Sequence, residues 1–350
     1  MAANYWESTQ RRHWQFTKDE LAAMRQRLED EDPGLVQSFP LPPLRHLNIY
    51  FNQQINRLGK RLGVRQQAMA TAQVYAKRFY TKVEIRRTNP YLLLTTAMYL
   101  ACKMEECPQH IRLITQEARL LWPTEFHNQD TSKVGECEFF LISEMNSHLI
   151  IHQPYRTLTA LQADFQLNPE EVSLAWCVIN DHYMTDLPLL YPPHIIALTA
   201  ILFALVSRPP NASSQGSANA AAAAASSGLS AATAALAQAQ ARSAMNAGGG
   251  GGGGGGSMPG TPSLTPQSSS AGGYGGSDMS SIAAMDVKKA PEQRMGKVQR
   301  FAGWLADSNI DVTAMVDCTQ ELISFYECHE AYNDKNTREQ VNRFMKARNL

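Results

Sequence analysis

The residues richest in chemistry stand at the end of one apolar run, "AMYLACKMEECP" at 97–108, where Lys103, Glu105 and Glu106 precede a proline. Two carboxylates side by side suggest acid–base work, which needs both groups aimed at one bond. Neighbouring residues on a helix point in different directions, so Glu105 and Glu106 do not make such a pair. His148 and His152, one helical turn apart, offer two metal ligands, but no third accompanies them and ordinary histidines are the simpler reading. The six cysteines (102, 107, 137, 177, 318 and 328) lack any CxxC spacing, which leaves out a zinc knuckle or a redox dithiol. GxSxG, HExxH, HRD and DFG do not occur. The sequence reads as non-enzymatic, with no cofactor, metal or small-molecule ligand.

Two charges remain unexplained. Lys103 continues the row Leu92–Thr96–Leu100, and Glu138 in "VGECEFFLISEMNSHL" lies on the side of its helix that carries Val134, Leu141, Ile142 and Met145. Charges set into apolar stripes are costly unless paired or hydrogen-bonded. Either they satisfy only each other, or they serve a binding partner.

Composition narrows the classes. Lys plus Arg equals Asp plus Glu at 32 each, so no global field favours nucleic acid or a membrane surface. Nine basic residues between Arg57 and Arg87, against Glu84 alone, form a local excess read here as solvated helix faces rather than a nucleic-acid footprint. The start, "MAANYWESTQRRHW", has no apolar signal core. The longest apolar run, "HIIALTAILFALV", is 13 residues, below the roughly 18 of a membrane span. A soluble protein of a reducing compartment is expected.

The elements that must position these residues are helices. "TKDE" at 17–20 is a capping box, Pro43 and Gly63 bracket a helix striped with Leu47, Tyr50, Phe51, Ile55 and Leu58, and another runs from about Arg65 to Thr81. Asn89-Pro90 and Asn168-Pro169 each open a helix with an asparagine cap and proline in the first turn. No period-two run is long enough for a sheet. Residues 207–290 are Ala/Gly/Ser/Pro-rich, with nine glycines at 248–256, and read as a disordered insert. That glycine run matches GxGxxG only trivially. Thr261-Pro and Thr265-Pro are candidate phosphorylation sites, or linker chemistry without consequence. Sliding the chain by 103 residues aligns 55–103 with 158–206: Ile55 meets Leu158, Pro90 meets Pro193, Thr96 meets Thr199, Ala101 meets Ala204. A duplicated multi-helix unit follows, centred on an all-round apolar third helix. At the aligned position Val206 replaces Lys103, so the fold itself does not demand a lysine there.

These residues resemble the cyclin box. "LACKMEE", "ECEF", "NYWEST" at 4–9, "RQQAMATAQVYAKRFY" at 65–80, "HQPYR" at 152–156 and "LAWCVINDHYMTDLPLLYPP" at 174–193 are similar to the cyclin C subfamily, over nearly everything but 207–290. The resemblance implies an all-α fold of tandem five-helix cyclin-box repeats, with an N-terminal helix and a low-complexity insert in the second repeat. The expected boundaries are an N-terminal segment 1–40, a first box 41–151, a second repeat 152–206 plus 291–332, the insert 207–290 and a C-terminal tail 333–350. It implies kinase binding by Lys103, Glu138, Glu106 and a buried Leu92. It also implies a groove for another subunit at Trp176, Asn180, Asp181 and Tyr326, with Trp6 in an N-terminal segment used against module subunits. The expected partners are the Mediator-associated cyclin-dependent kinase and its module, in the nucleus, with RNA polymerase II transcription raised or lowered, and with neither nucleic acid nor membrane contacted directly. Asn48 and Lys77 depart from the arginine and aspartate of many cell-cycle cyclins. The rival is a cyclin-fold general transcription factor that grips DNA; neutrality and the lack of a zinc ribbon weigh against it.

Overall fold

The structure, a computed structural model, describes residues 4–206 and 296–348; Thr261 and Thr265 lie outside them, as does nearly all of the insert. The chain divides into two units, Met1–Ser214 with Gly303–Leu350, and Gln215–Ala302; of the second, only the helical residues 296–302 are described. Among the described residues there is no strand.

Three short N-terminal helices, α1 (Thr9–His13), α2 (Lys18–Asp30) and α3 (Pro33–Ser38), precede a five-helix bundle. The bundle comprises α4 (Leu44–Leu62), α5 (Gln66–Phe79), α6 (Pro90–Met104), α7 (Ile111–Leu121) and α8 (Thr131–Glu144). The Thr17/Glu20 capping box opens α2, and Gly63 closes α4 at φ 64°, the left-handed conformation that glycine adopts without a Cβ clash. Asn89 caps α6 by accepting from the Tyr91 and Leu92 backbone N–H groups, with Pro90 in the first turn. α6 packs against α4, α5, α7 and α8 and is buried along most of its length, with Leu92 and Tyr99 half-buried and Lys103 and Met104 exposed at its C-terminal end.

A second bundle repeats the plan with α9 (Tyr155–Leu161), α10 (Pro169–His182), the four-residue α11 (Leu187–Leu190), α12 (Pro193–Val206) and α14 (Val312–Ala331); α13, over 296–307, comes between the last two in the sequence. α12 packs on α9, α10 and α14, the role of α6 in the first bundle. The aligned pairs agree in burial: Ile55 and Leu158, Thr96 and Thr199, Ala97 and Ala200, Ala101 and Ala204 are all buried. Lys103 and Val206 both face solvent, because each central helix leaves its core there.

Three expectations are corrected here. The residues read as a C-terminal tail form α15 (Asp334–Arg348), whose Val341, Phe344 and Met345 join the core of the first bundle. Asn342 bridges it to that bundle, accepting from Tyr91 Oη at 3.0 Å and donating to Glu125 Oε1 at 2.7 Å. The basic stretch is not simply a set of solvated faces. Arg78 is fully buried, stacked 4.9 Å from the Trp14 ring and donating to the His148 carbonyl at 2.7 Å. Arg86 is buried too, 2.5 Å from Glu84 Oε1 and donating through Nε to the Phe39 carbonyl. Breaking a buried pair leaves an uncompensated charge. Glu84→Ala is expected to cost about 3 kcal/mol by chemical denaturation; a change below about 0.5 kcal/mol would show the pair to be idle.

Finally, residues 148–153 are not helical, so His148 and His152 do not share a helix face. His148 Nδ1 accepts from Trp14 Nε1 at 3.1 Å and its ring stacks on His13. The His152 backbone is clamped by Gln10, which accepts from its N–H and donates to its carbonyl. These contacts pin the N-terminal segment to the link between the two bundles.

Candidate functional site

α6 and α8 pack side by side and bring Lys103 and Glu138 together: Nζ lies 2.5 Å from Glu138 Oε1. The Glu138 side chain is 12% exposed and that of Lys103 is 39% exposed, so the pair sits on the rim rather than in the core. Glu138 Oε1 is buried, and the Lys103 ammonium is the group that meets it. Only one Glu138 oxygen meets the ammonium, so the pair leaves N–H groups of Lys103 for other acceptors. The face of Tyr99 supports the cation from 4.4 Å.

The rest of this end is uneven. Glu105 accepts from Thr71 Oγ1 at 2.6 Å, and burial raises its carboxyl above the usual range despite that bond. It holds α5 to the end of α6. Glu106 is exposed in the left-handed region at φ 53°, where the chain turns away from the helix. Leu92 is half-buried rather than buried, packed against the core of the first bundle at the start of the row that runs on through the buried Thr96 and Leu100.

Sequence reasoning passed over Phe139, which is 77% exposed beside Glu138. The signal was present: in "EFFL" the two phenylalanines are separated by about 100° of helix, so one core face cannot take both. Phe140 packs edge-on against Phe79 at 5.2 Å, and Phe139 is left outward. Met104 adds a further exposed apolar side chain at the end of α6. A charged pair with exposed aromatic and thioether neighbours has the composition of a protein-binding surface.

A second cluster forms where the two bundles meet. Trp176 is half-buried against Tyr155, with ring centroids 4.4 Å apart. Tyr155 Oη donates to Asn180 Oδ1 at 2.7 Å, and Gln66 of α5 donates to the same oxygen at 3.1 Å. Tyr326 Oη donates to Asp181 Oδ2 at 3.1 Å. The structure thus joins Trp176 to Asn180 through Tyr155, and separately joins Asp181, the next residue of α10, to Tyr326 of α14. Trp6, 55% exposed, packs elsewhere, against Tyr5, His194 and the Arg11 guanidinium.

Burial raises the Asp181 carboxyl to about 7, the Tyr326 hydroxyl opposing this only in part. An acid whose pKa is raised on folding contributes stability that is complete below its unfolded value of 3.8 and lost as pH rises through about 7. Asp181→Asn is therefore expected to raise the melting temperature at pH 8 but not at pH 4. With solvent screening the gain is about 1–2 kcal/mol. Equal melting temperatures for the two proteins at pH 8 would show that the carboxylate is not strained.

Asn48 and Lys77 face one carboxylate. Asp186, the N-cap of α11, accepts from Arg25 through both oxygens at 2.8 and 2.9 Å and from Asn48 at 3.1 Å. Burial pushes the Asp186 carboxyl up, but Arg25, Lys77 and Asn48 outweigh it and hold it below its ordinary value. The cations here come from α2 and α5, and the anion comes from the second bundle.

The comparisons agree with this architecture. The description "Cyclin, N-terminal domain" matches residues 42–150, which span α4 to α8. A "RNA polymerase II holoenzyme cyclin-like subunit" from Chaetomium globosum is 71% identical over the whole of both chains. The chain belongs to the cyclin family. A second protein of the same description, from Neurospora crassa, is 67% identical over all of this chain and 99% of its own. Among solved structures, the CAK complex from Chaetomium thermophilum bound to ATP-gamma-S contains a chain that is 21% identical, with a TM-score of 0.49, over 57% of this chain and 68% of that one. As a cyclin, the protein is a non-catalytic regulatory subunit of a protein kinase.

Proposed function

We propose that this cyclin binds and activates the cyclin-dependent kinase of the Mediator kinase module in the nucleus, and through it both raises and lowers RNA polymerase II transcription. The reading rests on the rim where the C-terminal end of α6 meets the middle of α8, with Lys103 on one helix and Glu138 and Phe139 on the other. The relatives that match from end to end carry the name of an RNA polymerase II holoenzyme subunit, which supports the transcriptional assignment.

A kinase is active when its β3 lysine meets a glutamate of helix αC, and αC position controls that meeting. A partner that binds only the inward αC shifts the population by its differential affinity; moving 1:99 to 99:1 takes roughly 5.5 kcal/mol. Lys103 can donate to kinase backbone carbonyls, and Glu138 can accept from backbone N–H groups, as charge-assisted hydrogen bonds. Phe139 supplies the apolar area that excludes water around them. Trp176, Asn180, Asp181 and Tyr326, with Trp6, are the proposed contact for another module subunit. The burial of Arg78 and Arg86 removes two cations from any nucleic-acid footprint, so the DNA-gripping alternative is not favoured.

The test is a pull-down and kinase assay with the Mediator-associated kinase of the same organism, with a polymerase C-terminal-domain peptide as substrate. Binding and stimulation are expected. A folded wild-type protein that neither binds nor stimulates overturns the proposal, and salt-dependent DNA affinity in its place would revive the alternative.

A further inference from the structure

The end of α6 brings two thiols together. Cys102 is fully buried in the core of the first bundle, and Cys107 is half-buried and packs against that core. Both are free. Glu105 ends the helix, and Glu106 turns the chain through the left-handed region at φ 53°. The Cys107 N–H then reaches back to the Cys102 carbonyl at 3.0 Å. Such a backward bond, with a left-handed residue just before its donor, is the Schellman stop of a helix. It sets the side chains of its first and last residues against each other, commonly as an apolar contact. Here both of those side chains are cysteines.

The contact shows in the acidity of Cys102. Burial pushes its thiol up to about 12, and the Cys107 thiol hydrogen-bonded to it pushes the same way. The CxxC spacing of a redox dithiol is absent from the sequence, yet this turn brings a more widely spaced pair into contact.

We propose that Cys102 and Cys107 are a reversible dithiol–disulfide pair, oxidised by a low-molecular-weight disulfide of the glutathione type. Cys107, the thiol nearer solvent, reacts first. Its thiolate attacks one sulfur of the glutathione disulfide and forms a mixed disulfide. The glutathione thiolate expelled takes up the Cys107 proton. Cys102 then attacks the Cys107 sulfur, and its own proton leaves with the second glutathione. The protein gives up two electrons and two protons, and one glutathione disulfide becomes two thiols. The second step is the slower, because the thiolate is the nucleophile and the Cys102 thiol holds its proton tightly. Disulfides of a reducing compartment are transient, and a half-buried partner leaves this one open to reduction. The closed ring contains Lys103 and Glu106, two of the residues proposed to face the kinase, but the chemistry of the pair does not rest on that proposal.

The test is to equilibrate the folded full chain with glutathione buffers of rising disulfide content and trap the remaining thiols with N-ethylmaleimide in acidified urea. Digestion with trypsin, without reduction, follows. Cleavage after Arg87, Lys103 and Arg112 puts Cys102 and Cys107 on separate peptides, 88–103 and 104–112, so their disulfide is read by mass spectrometry as a joined pair. The joined pair is expected at about a tenfold lower glutathione disulfide concentration than in the chain unfolded in urea, because the turn holds the thiols within reach. Dithiothreitol should separate it. Three results overturn the proposal. One is a Cys107–glutathione mixed disulfide that persists beside a free Cys102 in the folded chain. Another is both cysteines remaining free throughout. The third is a joined pair that forms equally well in the folded and unfolded chains, which would take the turn out of the chemistry.

Discussion

Lys103→Ala weakens kinase binding by about thirtyfold, and the double variant Lys103→Ala/Glu138→Ala weakens it beyond measurement, while both keep the helicity of the wild type. The expectation rests on the proposed kinase face. Truncating a central interface residue costs about 2 kcal/mol or more, which is the thirtyfold. The stability side is smaller. A pair with a 39% exposed lysine is screened by solvent, and such pairs contribute about 0–1 kcal/mol. Glu138 loses its cation in the single variant, but solvent reaches the site through the exposed lysine position and screens the carboxylate left behind. The measurement is therefore a comparison: surface plasmon resonance for binding and thermal melting for stability, on the same preparations. A loss of stability equal to the loss of binding energy would make the pair an internal brace and move the docking energy elsewhere. Phe139→Ala serves as the companion, since an exposed ring has little folding role; affinity should fall while the melting temperature holds.

Removing α15 by ending the chain at Tyr332 destabilises the first bundle by about 5 kcal/mol, a large share of the roughly 5–15 kcal/mol of a typical domain. Val341, Phe344 and Met345 are each at most 4% exposed, and burying such side chains is worth about 1.5–3 kcal/mol apiece as an upper estimate. Truncation also strips Tyr91 and Glu125 of their contacts with Asn342, and the Arg86 carbonyl of its Arg348 donor. The milder Phe344→Ala should cost about 3 kcal/mol through the cavity it leaves. Urea denaturation of the full chain, the point variant and the truncated chain gives all three values. A truncated chain with the wild-type midpoint would mean that α15 rests on the bundle without supporting it.

The sequence by itself determined the helical class, the caps at Thr17, Asn89 and Asn168, the left-handed stop at Gly63 and the duplication. These are local or periodic properties: a cap needs only the few residues around it, and a repeat is visible wherever two core faces are spaced alike. It also singled out Lys103 and Glu138, because a charge at the end of an apolar row is legible without coordinates. Tertiary structure decided what depends on distant partners. Whether a basic residue is solvated or buried depends on what covers it, and Trp14, Phe39 and the His148 carbonyl cover Arg78 and Arg86 from elsewhere in the chain. The polar composition of α15 suggested a tail; three apolar residues on one face are enough to dock it once α4 presents a matching surface. The union of Asp186 with Arg25, Asn48 and Lys77 comes from α2, α4, α5 and the start of α11 closing on one another. No window of sequence contains all of them, and only the packed fold sets their distances.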